Sequence, residues 1–178
     1  ENDCYHKFIP IMRISISGIL FVAILMIGLA ALYSFHYTTG NEQQVMDEVI
    51  EAWHDAAARG DSAAFFGRMT KEAIYLGTDE SERWDRTSMA RDLGRYFNGK
   101  KAWKFVSYNR HYIALKDRNS ILFDECLKTW MGPCKATGLL SREKGSWKIA
   151  YYNLSVAVPN DYVKQYTKLL PPGDILTD

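Results

Sequence analysis

The sequence is poor in the residues that build metal and redox sites. Its 3 cysteines, Cys4, Cys126 and Cys134, form no CxxC pair and have no histidine partner at zinc-binding spacing. The net charge is +1, and no cluster of Lys and Arg is interleaved with aromatic residues. A strong attraction to nucleic acid is therefore not expected. We predict no metal site, no cofactor and no nucleic-acid partner.

Charged residues are also missing from Ile14 to Phe35. As a helix, these residues span roughly 33 Å, about the thickness of the apolar part of a bilayer. Lys7 and Arg13 precede the stretch, and no Lys or Arg follows it until Arg59, which places the N-terminus in the cytoplasm. We predict a membrane anchor, with a cleaved signal peptide or a buried helix as alternatives. The domain then lies outside the cytoplasm, membrane-anchored or exported to the periplasm or medium.

The length of 178 residues allows one core, and the pattern divides the chain into five parts. Met12 is a natural start, so what precedes it is upstream or tag-like sequence. A polar, glycine-containing stretch after the apolar run indicates a linker. The predicted parts are an upstream segment at 1–11, an anchor or signal peptide at 12–36, a linker at 37–41, a folded domain at 42–170 and a tail at 171–178.

Within the folded domain, helices come first and strands follow. Apolar residues recur every three or four positions after the linker, which is typical of an amphipathic helix, here ending at Arg59. Two shorter helices follow, capped by Asp61 and Thr87, with the short buried strand AIYL between them. From Ala102 the period is that of strands joined by short turns, which predicts an antiparallel meander of four or five strands. This order indicates an α+β fold whose curved sheet leaves an apolar, cone-shaped cavity, the usual form of a small-ligand site.

Six short segments follow one another between Glu42 and Asn160: EAWHDAAARGD, YLGTDESERW, FDECL, GPCKATGLL, WKIAYYNL and VPN. In order and spacing they resemble the SnoaL-like proteins of the nuclear transport factor 2-like (NTF2-like), or ketosteroid isomerase-like, superfamily. The resemblance implies an α+β, cone-shaped NTF2-like (cystatin-like) fold, with N-terminal helices packed on a curved antiparallel sheet, here preceded by one hydrophobic helix. It also implies a homodimer through the sheet. Members include isomerases, cyclases, dehydratases and scaffolds, so the fold does not define the activity.

Two acids stand side by side in the predicted strand at FDECL. Alternation puts Glu125 on the face of Phe123 and Asp124 on the opposite face, so one acid lies on the helix-covered side unless a bulge intervenes. A buried carboxylate is costly unless it is paired, and Arg110 and His111 on the preceding strand are the expected partners. We predict a structural salt bridge. The alternative is a carboxylate with a raised pKa that acts as a general base.

His54 lies beside Trp53, at the edge of the apolar face of the first helix. It is either a half-buried histidine bonded to a backbone carbonyl or a pocket imidazole that shuttles a proton. The enzymatic alternative is therefore a proton-transfer enzyme, such as an isomerase, dehydratase or cyclase, whose catalytic candidates are Asp124, Glu125, His54 and His111. Candidates for an oxyanion-stabilising hydroxyl are Tyr75, Tyr151 and Tyr152.

The segment YLGTDESERWDR crowds charged residues behind a buried strand. Its charges either stabilise a solvated turn or form the rim of a pocket. Burial of Trp84 would draw Asp79 or Arg83 toward the mouth of the cavity. We predict a rim lid with Asp79 and Arg83 inward, and with Glu80 and Glu82 solvated.

These patterns favour a domain that binds a small apolar or aromatic molecule in the cone. The predicted ligand-binding residues are Trp53, Tyr75, Asp79, Arg83, Trp84, Arg110, Tyr152 and Asn153. A further alternative is a dimeric interaction module without a ligand, whose cone is filled by its own aromatic residues. An empty cone lined by titratable groups would favour an enzyme.

Cys126 and Cys134 flank the turn that contains Gly132-Pro133. A hairpin centred on Trp130 would place the two cysteines opposite each other, within reach of a disulfide. A turn centred a residue or two later would offset them. We predict two buried thiols, with the disulfide as the alternative.

Overall fold

The structure, a computed structural model, describes residues 16–100, 102–117 and 119–175, so the predicted upstream segment at 1–11 lies outside the described residues. The chain divides into two compact units, Glu1–Gln44 and Val45–Asp178. In the first unit, the described residues form the beginning of helix α1, Ile16–Arg59, and residues 20–29 are exposed.

None of the helices within these described ranges has both the length and the hydropathy that a membrane-spanning segment requires. The predicted anchor or signal segment is therefore not supported. The location outside the cytoplasm stays a prediction.

Helix α1 continues through residues 37–41, where the sequence predicts a linker. This stretch has no proline, and the single Gly40 costs a helix only about 1 kcal/mol relative to alanine. Polar composition alone therefore does not end the helix. The end at Arg59 is as predicted, because Gly60 follows it with a φ of 65°, the left-handed conformation that glycine adopts readily.

Among its described residues, the second unit contains the rest of α1, three further α-helices and six strands. They are α2 Ser62–Gly67, β1 Met69–Leu76, β2 Arg83–Asp85, α3 Arg86–Leu93, β3 Val106–Ala114, β4 Ser120–Thr129, β5 Gly132–Glu143, β6 Ser146–Val156 and α4 Val163–Thr167. Asp61 caps α2 as predicted, since its Oδ1 accepts a hydrogen bond of 2.9 Å from Ala64 N. Helix α3 begins earlier than predicted, because Asp85 rather than Thr87 caps it through Ser88 N at 2.8 Å.

The six strands form one mixed sheet in the order β2-β1-β6-β5-β4-β3. The antiparallel meander of β3 to β6 is as predicted, but β1 pairs with β6 in parallel and β2 adds an edge. The prediction of a purely antiparallel sheet of four or five strands is thus wrong. Strand β2 has three residues, too few for an alternating pattern, and the long-range pairing of β1 leaves no local signal. Register shifts interrupt three strand pairs, and such bulges bend a sheet.

Aromatic rings fill the interior between α1 and the inner face of the sheet. Trp53 stacks on Phe65 with ring centroids 4.8 Å apart and meets Tyr152 edge-on, also at 4.8 Å. Phe123 and Tyr75 pack around Tyr152. The interior of the predicted cone is therefore largely closed by the protein's own side chains.

The β4–β5 hairpin sets the two cysteines on opposite faces. Thr129 pairs with Gly132, so Cys134 lies opposite Leu127, one position away from Cys126. Because neighbouring positions alternate faces, the thiols point away from each other. Both cysteines are free, as predicted, although Cys126 is only half-buried.

Candidate functional site

Glu125 on β4 lies at the centre of a buried polar cluster and is 1% exposed. Its Oε1 accepts hydrogen bonds of 2.8 Å from His54 Nε2 and 2.8 Å from the Tyr152 hydroxyl. Its Oε2 accepts from the Ser107 hydroxyl at 2.6 Å and from Arg110 Nε and Nη2 at 3.0 and 2.7 Å. Both carboxylate oxygens are therefore fully engaged by protein groups.

These partners keep Glu125 ionised. Burial raises the pKa of the carboxyl, but the hydrogen bonds and charges of His54, Arg110 and Ser107 outweigh burial and lower the pKa from 4.5 to about 2. Since an ionised carboxylate only accepts, His54 Nε2 carries the proton between them. The predicted ion pair with Arg110 is present. For Glu125 the alternative of a raised pKa is wrong, and a carboxyl with a pKa near 2 is a poor general base at neutral pH.

A bulge in β3 brings Arg110 to the inner face. Tyr108 pairs with Cys126 and His111 with Asp124, so two residues of β3 lie opposite the single residue Glu125. One of the two, Asn109, has a φ of 50°, a conformation that asparagine tolerates better than most residues. The extra residue turns the guanidinium of Arg110 onto the carboxylate, and its side chain is only 8% exposed.

Two acids of α1 complete the shell around Arg110. Its Nη1 donates to Asp47 Oδ1 at 2.8 Å and its Nη2 to Glu51 Oε1 at 2.7 Å. Tyr112 donates to the same Asp47 oxygen at 2.6 Å. Burial lowers the pKa of the guanidinium, but Glu125 and the two helix acids raise the pKa above its usual range. Asp47 and Glu51 were not predicted as site residues, although Asp47, Glu51 and His54 follow one another at the four- and three-residue spacing of one helix face.

The four catalytic candidates separate into two places. Glu125 and His54 meet in the buried cluster. Asp124 and His111 lie on the opposite, exposed face, where His111 Nδ1 is 3.5 Å from Asp124 Oδ1. The structure therefore does not bring these two to the cluster.

A separate pocket of about 310 Å³ opens beside the cluster. We call it the aromatic pocket, because six rings line it: Tyr75, Trp84, Tyr96, Trp103, Phe105 and Trp130. Tyr75 and Trp84 are direct partners in the β1–β2 pair, and their ring centroids are 6.2 Å apart. Trp130 is 82% exposed at the tip of the β4–β5 hairpin.

Three of the four charged residues around the rim lie on the side opposite to the prediction. Glu82 is half-buried and lines the aromatic pocket, whereas Asp79 and Arg83 are exposed. Asp79 is bound within its own turn, where its Oδ1 accepts from Ser81 N at 2.9 Å, and the bonds to Ser81 lower its pKa. The predicted solvation of Glu80 is confirmed.

Of the predicted ligand-binding residues, Tyr75 and Trp84 line the aromatic pocket. Trp53, Arg110 and Tyr152 belong to the buried interior, and among the described residues Trp53 Nε1 is the one buried side-chain nitrogen or oxygen without a hydrogen-bond partner. Asn153 follows Tyr152 on β6 and so lies on the opposite face. The prediction missed the other pocket rings, although the alternation of Trp103 and Phe105 in AWKF was a visible signal.

Comparison with known protein families shows which family the chain belongs to. The model of the SnoaL-like domain matches residues 46–159. The chain belongs to the SnoaL-like domain family. The resemblance inferred from the six segments is thereby confirmed. No curated protein sequence matches the chain.

Solved structures share the fold of this SnoaL-like domain at low identity. An NTF2-like protein of unknown function from Pseudomonas putida KT2440 is 12% identical with a TM-score of 0.54, over 69% of this chain and 91% of that one. One from Shewanella oneidensis MR-1 is 10% identical with a TM-score of 0.53, over 65% and 99%. The association domain of CaMKII from C. elegans is 12% identical with a TM-score of 0.54, over 66% and 97%. At such identities the likeness shows the NTF2-like fold alone.

In this SnoaL-like domain, two stacked tyrosines lie between the polar cluster and the aromatic pocket. The rings of Tyr75 and Tyr152 have centroids 5.7 Å apart and planes inclined by 22°. Tyr152 donates to Glu125 on one side, and Tyr75 lines the pocket on the other. Burial, and then the charge of Glu82, raise the pKa of Tyr75, so its hydroxyl stays protonated at neutral pH.

Proposed function

We propose that this SnoaL-like domain binds a small, mainly apolar or aromatic molecule in the aromatic pocket. The observation that carries the proposal is the lining of six aromatic rings around about 310 Å³. This volume lies at the small end of the range of ligand sites, about 300–1,000 Å³. Aromatic side chains offer large contact areas with little loss of conformational freedom, which suits them to hold a flat ligand.

The proton-transfer alternative has weaker support. Glu125 is ionised, hydrogen-bonded through both carboxylate oxygens and 1% exposed. Asp124 and His111 are exposed on the far face of the sheet. An acid or base in contact with a bound molecule would have to come from the pocket itself, where Glu82 is the charged residue among the described lining.

Native mass spectrometry of the full-length chain, purified without denaturation, tests ligand binding. We expect a small molecule that co-purifies at up to one per chain and is lost on mild activation. Trp130→Ala removes a pocket ring that is already 82% exposed, so the fold survives while ligand occupancy falls. Tyr162→Ala is the matched control, because Tyr162 is an exposed aromatic residue away from this pocket. Equal occupancy in both variants would place the ligand elsewhere.

We further propose that two copies pair through the outer face of the sheet. Ile113 and Tyr108 on β3 are 54% and 40% exposed there, and burying such side chains favours association. A protein with the same fold, from C. elegans, is itself an association domain. Light scattering should give a dimer mass for the wild type and for Leu169→Lys, and a monomer mass for Ile113→Lys. A monomeric wild type would contradict the pairing.

A further inference from the structure

We propose that the ligand of the aromatic pocket is a small organic cation, an amine or quaternary ammonium group on an apolar or aromatic body. This inference rests on the proposed function and adds the charge of the ligand to it. It follows from one acid, Glu82, placed among the rings of the pocket.

Glu82 is the one charged side chain among the described residues that line the aromatic pocket. No Lys, Arg or His of the described ranges forms an ion pair with its carboxylate. A half-buried carboxylate against an apolar wall loses part of its hydration, and a cation in the pocket would offset that loss. An anionic ligand would meet repulsion instead.

The backbone turn holds the Glu82 carboxylate at the pocket. Its Oε2 accepts a hydrogen bond of 3.2 Å from Asp79 N. The carboxylate also folds over Gly77, where even a Cβ atom would collide with it, so the glycine leaves room for the acid. Glu82 and Tyr75 line the same pocket, and the pKa of Tyr75 is raised by burial and then by the charge of Glu82. The negative charge is therefore fixed at the wall rather than free in solvent.

The surrounding rings suit the same ligand. The faces of Trp and Tyr attract cations through the ring quadrupole, and aromatic cages with a nearby acid recognise ammonium groups. Tyr75 and Trp84 face each other across the strand pair next to Glu82. The guanidinium of Arg95, a residue that does not line the pocket, lies 5.0 Å from the centroid of the Tyr96 ring. One ring of the pocket lining therefore already contacts a cation. The pocket volume fits a cation built on a single ring.

Matched probes test the inference on the full-length chain. Phenyltrimethylammonium and tert-butylbenzene have the same shape and differ in charge, and benzenesulfonate is an anion of similar size. Calorimetric titration should show the ammonium probe binding at least about tenfold more tightly than tert-butylbenzene, with no binding of the sulfonate. Glu82→Gln should reduce that ratio to about threefold or less. Glu80→Gln, an exposed acid of the same turn, should leave the ratio unchanged.

The outcomes separate the two proposals. If tert-butylbenzene binds as tightly as the ammonium probe, the inference about charge fails while ligand binding in the aromatic pocket stands. A ratio that survives in Glu82→Gln would overturn the assignment to Glu82. Failure of all three probes to bind would overturn both proposals. The comparison of probes on the wild type decides the question of charge even if a variant proves unstable.

Discussion

His54 on α1 and Glu125 on β4 are 71 positions apart in the sequence and share a buried hydrogen bond of 2.8 Å. Arg110 on β3 reaches the same carboxylate, and its remaining donors bind Asp47 and Glu51 of α1. One ionised carboxylate thus connects the helix to two strands. Its partners use both oxygens, so the cluster stabilises the fold rather than offering a free base.

Replacing the carboxylate tests this structural role. Glu125→Gln leaves Arg110 with less compensation in a buried site, so the free energy of unfolding should fall by about 3 kcal/mol. Asp124→Asn, at the neighbouring exposed position, should change the free energy by less than about 0.5 kcal/mol. Urea unfolding of both variants measures this. A Glu125→Gln domain of normal stability that has lost ligand binding would make Glu125 a functional residue.

The lowered pKa of Glu125 predicts an acid-sensitive fold. The carboxyl has a pKa of about 2 in the folded chain and 4.5 ordinarily. Its contribution to the free energy of unfolding is therefore fully present above pH 4.5 and is lost as the pH falls through about 2. The difference between these two pKa values corresponds to about 3 kcal/mol of unfolding free energy. Unfolding free energies between pH 7 and pH 2 should show this loss in the wild type and a flatter profile in Glu125→Gln. Parallel pH profiles of the wild type and Glu125→Gln would contradict the assignment of this loss to Glu125.

Much of this arrangement could be predicted from local sequence. Alternation in FDECL placed Glu125 on the face of Phe123, and the preceding strand offered Arg110 and His111 as partners for whichever acid is buried. The way in which Arg110 reaches the inner face could not be predicted, because it depends on one extra residue at a bulge. The acids of α1 were visible in the helix spacing, but their shared partner lies more than fifty positions away.

The pocket was harder to predict than the cluster. Trp84 and Tyr75 were expected at its wall, but Asp79, Glu82 and Arg83 were assigned to the wrong sides of the rim. The direction of Glu82 depends on the turn that folds it over Gly77, and this turn depends on β2, a strand too short to show a pattern. The parallel pairing of β1 with β6 is likewise a property of the whole sheet.

The backbone conformation at the Asn109 bulge leads to a separate prediction about stability. Its φ of 50° is disfavoured for a β-branched residue, so Asn109→Val should lower the free energy of unfolding by about 1–2 kcal/mol, and Asn109→Gly should be nearly neutral. Thr137→Val is the matched control, at an exposed position of β5 without a bulge. Chemical denaturation distinguishes the three variants. Equal tolerance of valine at both positions would argue against the left-handed conformation.

The offset hairpin predicts free thiols. Peptide mapping after alkylation of the denatured, unreduced chain should find Cys126 and Cys134 each modified. In the folded chain Cys126 should react faster, since it is half-buried and Cys134 is buried. Recovery of a peptide that links the two cysteines would show that the register of β4 and β5 differs from Leu127 opposite Cys134.

We propose that the ligand site is the aromatic pocket and not the cluster around Glu125. Amide chemical shifts of the full-length chain, followed while a small aromatic probe such as indole is added, test it most directly. We expect saturable shifts at Gly77, Leu93, Ala102 and Leu154, which line the pocket, with the amides of Ser107 and Glu125 nearly unchanged. Saturable shifts centred on Ser107 and Glu125, or no saturable shift at all, would contradict it.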